Sequence, residues 1–164
     1  MYLNHIKALY AATVPWHPRG YPQEAIAAVE TSMGVTFPAA YRAFHLWNGR
    51  NFTPWDGDDA DVSMVPDLKD AALEILAEGR HRLTLPADAL VIIQHGGYEF
   101  NFLRLAEGDD PPVYYYSQTQ KEAAFRCLAP HFSVFVADSL TFYLNRHTIT
   151  SPSSQAFPPD GTQG

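Results

Sequence analysis

Most of the chain carries apolar residues at helical spacing, and one central stretch carries them at strand spacing. Over residues 2–13, Tyr2, Ile6, Leu9 and Thr13 recur near a helical period and predict an amphipathic helix. Pro15, Pro18, Gly20 and Pro22 interrupt it. Pro22 suits the first turn of a second helix, where a missing N–H costs nothing. Ile26, Val29 and Met33 form the apolar face of that helix, and Gly34 ends it in a left-handed cap. A third helix opens at Pro38, carries Tyr41 and Phe44, and closes at Asn48-Gly49. Residues 50–66 are polar and acidic, and predict a loop with at most a short edge strand. Asp67 then reads as the N-cap of a fourth helix, with Leu68, Ala72, Ile75 and Leu76 as its stripe and Gly79 as its stop.

The period then changes. Leu90-Val91-Ile92-Ile93 suits a buried strand, and Gly96-Gly97 supplies a hairpin turn that needs positive φ. Tyr98, Phe100 and Phe102 alternate with Glu99, Asn101 and Leu103 beyond it. Asp109-Asp110-Pro111-Pro112 is a second turn, followed by a third strand, Val113-Tyr114-Tyr115-Tyr116. Phe132, Phe135, Val136, Leu140 and Tyr143 predict a last helix over 130–144. Helices, then antiparallel strands, then a helix argue for an α+β fold. The expected form is a central, mostly antiparallel sheet packed by the N-terminal helices and the C-terminal helix. Residues 1–148 are read as one domain and 149–164, rich in Pro, Ser and Gly, as a flexible tail.

Composition adds a compartment and a charge map. The hydrophobic fraction of 46% is enough for a core. The single cysteine, Cys127, excludes an internal disulfide framework and is read as a small buried hydrophobe. No secretion signal or membrane span is recognisable, so a cytoplasmic location is expected. The net charge of −7 is regional. Asp56, Asp58, Asp59, Asp61, Asp67 and Asp70 face only Lys69 in their window. Glu99, Glu107, Asp109 and Asp110 face only Arg104 in theirs. Such regions repel nucleic acid and attract basic partners.

Searches for catalytic and metal motifs are negative. There is no G-x-G-x-x-G, no phosphate-binding loop and no H-E-x-x-H. His95-Gly96-Gly97 resembles an esterase oxyanion motif, but there is no G-x-S-x-G nucleophile segment, and a hairpin turn with a polar shoulder is the simpler reading. A calcium loop starting at Asp56 fails because its fifth and sixth positions are Ala60 and Asp61. The seven histidines never pair at ligand spacing, so no metal or cofactor is expected. His45 is placed at the edge of a helix face and His131 near the start of the last helix. At least one of the three consecutive tyrosines must face away from the other two, and an exposed phenol is a good binding anchor.

These residues together carry a resemblance. The run Ile26, Glu30, Gly34, Phe37-Pro38, Tyr41, Phe44 and Trp47-Asn48-Gly49 resembles the first signature of the SUKH superfamily. Asp88-Ala89-Leu90-Val91, His95-Gly96-Gly97-Tyr98-Glu99-Phe100 and Asp109-Asp110-Pro111-Pro112-Val113-Tyr114 follow in the family's order, and His131-Phe132-Ser133-Val134-Phe135-Val136 matches its closing segment. The chain departs at Phe37, where Leu is usual, at His131 for Ser and at Val136 for Leu. The resemblance spans about residues 20–145 and implies an α+β protein-binding module with no shared catalytic set. Bacterial members are typically cytoplasmic immunity proteins that neutralise a cognate toxin, often a nuclease or deaminase.

The function expected is therefore binding, not catalysis. The partner is a toxin domain with a basic surface, with no direct nucleic-acid or membrane contact. A regulatory or scaffold interaction domain is the alternative. The candidate partner-binding residues are Trp55, Asp56, Asp58, Asp59, Asp61, Tyr98, Glu99, Glu107, Asp109, Asp110 and Tyr115.

Overall fold

The computed structural model describes residues 1–148; the expected tail, 149–164, lies outside the described residues. Five helices are present among them: α1 (Asn4–Thr13), α2 (Gln23–Met33), α3 (Ala39–Asn48), α4 (Val65–Glu78) and α5 (Phe132–Thr148). Four strands, β1 (Ala89–His95), β2 (Glu99–Arg104), β3 (Val113–Ser117) and β4 (Arg126–Ala129), form one antiparallel sheet in sequential order. The fold is α+β, with the sheet packed by α4 and the C-terminal helix closing over the N-terminal part of the core.

The helices follow from the apolar stripes, with local corrections. The buried face of α1 is Leu3, Ile6 and Tyr10, while Leu9 is exposed. The stripe is thus Leu3, Ile6 and Tyr10, not the predicted Tyr2, Ile6, Leu9 and Thr13. Pro22 and Pro38 each stand one residue before their helices, as extended N-caps. Gly34 adopts φ 65° and ends α2, its N–H bonded to Thr31 O and that of Val35 to Glu30 O. Helix α4 starts earlier than predicted: Met64 is its N-cap, Pro66 lies at its start, and Asp67 falls in the first turn, where its charge suits the helix dipole. Its predicted stripe, Leu68, Ala72, Ile75 and Leu76, is buried.

In the sheet, Gly96 and Gly97 take φ 58° and 78°, the geometry the first hairpin turn requires. Pairing of His95 with Glu99 and Ala89 with Arg104 sets the register, with an irregularity between Val91 and Ile93. The short edge strand expected in residues 50–66 is reduced to a single bridge, Asp59 to Gln94. Strand β4 was not predicted. Its first three residues, including Cys127, are exposed, which corrects the reading of Cys127 as buried.

The core joins α1, α3, the turn of 3-10 helix at Thr53–Trp55 and α5 through packed aromatic rings. Phe44 sits at its centre, 5.1 Å from Phe52, 4.8 Å from Trp55 and 5.8 Å from Phe132. His45 lies inside this core, 4.5 Å from the Tyr41 ring, and not at a helix edge.

Candidate partner-binding face

The signature residues of the first half build the fold. The buried Glu30 carboxylate accepts the Phe37 N–H at 2.7 Å and pairs with Arg42, fixing the turn between α2 and α3. Asn48 accepts the Arg19 N–H at 3.0 Å, which holds the 14–22 segment against the end of α3. A Cβ at Gly49 would collide with the His45 ring. Both His45 nitrogens are buried without a partner, and burial pushes the imidazole down to about 3 against a weaker opposing pull from Asp61. His45 is therefore neutral and packs as an aromatic ring.

The acidic loop after α3 forms a continuous face with the β1–β2 turn. Asp59 exchanges backbone hydrogen bonds with Gln94, both 3.0 Å. The Gln94 amide, oriented to satisfy both neighbours, donates to the Asp59 carboxylate and accepts from Gly97 N–H. Asp58 pairs with His95, and this bond raises the imidazole above its ordinary value. His95 in turn stands edge-on to Tyr98, 5.9 Å between ring centres. One strand over, Tyr115 donates to Glu99 at 2.7 Å. Asp58, Asp59, Tyr98, Glu99 and Tyr115 thus lie along one end of the sheet, and Asp56, two residues from Asp58, borders a groove shared with Phe142 and Arg146 of α5.

Asp61 closes the inner edge of this loop. It accepts Ser63 N–H at 2.8 Å and the Ser63 hydroxyl at 2.6 Å, and it accepts the Tyr21 hydroxyl on its other oxygen. Burial works to raise the Asp61 carboxyl, but these hydrogen bonds outweigh it and hold the group below the usual carboxylate value. Tyr21 is pushed up to about 12 by burial and by the same bond. Asp56 is the most open member of the loop and makes no side-chain bond among the described residues.

Glu107, Asp109 and Asp110 do not join that face. They sit at the opposite end of β2, in the turn to β3. The Asp109 carbonyl accepts Ala40 N–H at 2.9 Å, at the start of α3. Asp110 accepts Ser133 N–H at 2.9 Å and the Ser133 hydroxyl at 2.6 Å, so it caps α5 from outside that helix. His131 bonds to the Asp110 carbonyl at 2.8 Å. Glu107 accepts the Tyr114 hydroxyl at 3.0 Å. Trp55 is also set apart: its ring is buried in the aromatic core, with its N–H on Ser139 at 3.1 Å.

The side chains that shape the acidic face, Tyr21, Gln94 and His95, were absent from the sequence-derived set. Their partners are distant in sequence, Tyr21 lying 40 residues from Asp61 and His95 37 from Asp58, and no local pattern marks such pairs. Among the described residues no group of His, Cys, Asp and Glu is placed to hold a metal, and no helix is long and apolar enough to cross a membrane.

Two comparisons with known proteins bear on this architecture. No curated protein matches the chain. The SMI1 / KNR4 family (SUKH-1) matches residues 20–146, which run from the glycine before α2 almost to the end of α5 and include both acidic turns. A match over most of the chain, on residues whose structural roles are those just described, establishes that the chain belongs to the SMI1 / KNR4 family (SUKH-1).

Proposed function

We propose that this protein is an immunity-type binding module that neutralises a cognate toxin domain by covering a basic surface with its acidic face. The observation that carries this reading is the joining of the loop at Asp56–Asp59 to the β1–β2 turn. Backbone bonds between Asp59 and Gln94 and the Asp58–His95 pair hold the loop in one shape, while Asp56 and Tyr98 stay exposed. A pre-shaped acidic surface loses little entropy on binding. Clustered carboxylates also accelerate encounter with a basic partner. Nuclease toxins carry such basic surfaces because they hold phosphate backbones. Tyr98 and Tyr115 supply the aromatic anchors at the margin of the charge.

The test begins with cross-linked capture of the partner from the native host and its identification by mass spectrometry. Association is then measured for the wild type and for a D56A/D59A/E99A variant at low and high salt. The reading expects association at least tenfold slower in the variant and a weaker salt dependence. Unchanged association would remove the acidic face from the interface. A captured partner without toxin activity would instead support a regulatory or scaffold module.

A further inference from the structure

A second surface lies at the other end of α4 and has the opposite charge. The end of α4 and the segment after it enclose an open groove of about 690 Å³. Its floor is apolar: Leu76 and Leu85 are buried, Leu83 is half-buried and Leu73 is 46% exposed. Its rim carries Arg80 and Arg82, and no carboxylate lines it. Both arginines are exposed, and neither makes a hydrogen bond or ion pair among the described residues. The groove has fixed walls. His81 bonds to the Gln120 carbonyl at 3.0 Å, and Gln118 donates to the Ile75 carbonyl at 3.0 Å. A Cβ at Gly79 would collide with the Tyr116 hydroxyl, so the chain passes close over the sheet there.

From this groove we infer a docking site for an acidic protein segment that carries leucine-type side chains. Two unpaired arginines above a leucine floor match carboxylates flanking apolar anchors, the pattern of helix-in-groove recognition. Its volume lies within the range of pockets that bury a small ligand, so it admits the apolar side chains of such a segment and not the whole segment. A nucleic acid is a poorer fit, because no Phe, Tyr or Trp lines the groove to stack a base, and the one ring there, His81, is tied to the Gln120 carbonyl. The site is separate from the acidic face. Helix α4 has 14 residues, so the two surfaces stand about 20 Å apart along its axis.

The experiment uses the full chain and fluorescent peptides of roughly twelve residues with leucines at helical spacing. One peptide has Glu at the remaining positions and the other Lys. Anisotropy should show the Glu peptide binding at least tenfold tighter than the Lys peptide. That binding should fall at least tenfold in R80E/R82E and severalfold in L73A, and should persist in D56A/D59A/E99A. Circular dichroism of R80E/R82E checks that these surface changes leave the fold intact. Equal affinity for both peptides, or undiminished binding by folded R80E/R82E, overturns the proposal. So does displacement of the Glu peptide by an oligothymidine of similar length.

Discussion

Two acidic turns that look alike in sequence occupy opposite ends of the sheet and have different roles. In the loop at Asp56–Asp61, side-chain partners hold Asp58, Asp59 and Asp61 in a half-buried arrangement, and Asp56 alone is exposed and unbonded. In the turn at Asp109–Asp110, a carbonyl holds the start of α3 and a carboxylate caps α5. The first ties its carboxylates to the β1–β2 turn and to Tyr21; the second joins two helices to the sheet while Glu107 and Asp109 stay exposed. A count of acidic residues cannot separate these roles, because what matters is whether each carboxylate already has a buried or helical partner.

The largest expected difference between the two turns appears with pH, because only the first lies beside the buried imidazole of His45. The folded protein holds His45 neutral down to about 3, while the unfolded chain takes up a proton near its ordinary value of 6.5. Between those values the unfolded state binds more protons, so stability falls as pH falls, by about 1.4 kcal/mol per pH unit. Urea titrations from pH 7 to 4 should show this slope, and His45→Phe should flatten it. Asp61, whose carboxyl is held low, adds its own loss only below about pH 4, the ordinary range of a carboxylate. A slope unchanged in His45→Phe would assign the acid sensitivity to other groups.

The next effect belongs to the second turn. Asp110→Ala removes the cap of α5 and should lower stability by about 2 kcal/mol in urea unfolding, with association to an acidic-face partner unchanged. A drop in association at constant stability would make the two turns alike after all. Tyr21→Phe is a smaller change, deleting one hydroxyl from Asp61, and should lower stability by about 1 kcal/mol. The smallest effect is local. Asp58→Asn should return the His95 imidazole toward its ordinary value in an NMR titration, and failure to do so would remove Asp58 as the cause of its shift.

The sequence made the helices and three of the strands legible, through one buried face in each helix, a continuous apolar run in β1, alternation in β2 and a run of β-forming residues in β3. Strand β4 was not, since Arg126, Cys127 and Leu128 neither alternate nor bury. It is a strand only because β3 offers it hydrogen bonds. Leu9 and Tyr10 are adjacent, and a helical period allows either to face inward; packing of Tyr10 on Trp47, 5.3 Å apart, decides it. His45 could not be placed either, because a histidine is buried only where its neighbours from other elements exclude water. The candidate site was half legible. Asp58, Asp59, Tyr98, Glu99 and Tyr115 come together, whereas Trp55, Asp110 and the Asp109 carbonyl are engaged in packing or capping.

The sequential strand order also bears on the speed of assembly. A meander joins strands that are neighbours in the chain, so each pairing closes a short loop, and low contact order favours rapid folding. The aromatic core is different, since it brings Tyr10 and Phe44 together with Phe132 across most of the chain. Docking of α5 is then expected after the rate-limiting barrier. Phe132→Leu should accordingly speed unfolding and leave the folding rate nearly constant, a split that stopped-flow chevrons would measure. The protein would owe its lifetime in the folded state to its last helix, and its rate of folding to its sheet.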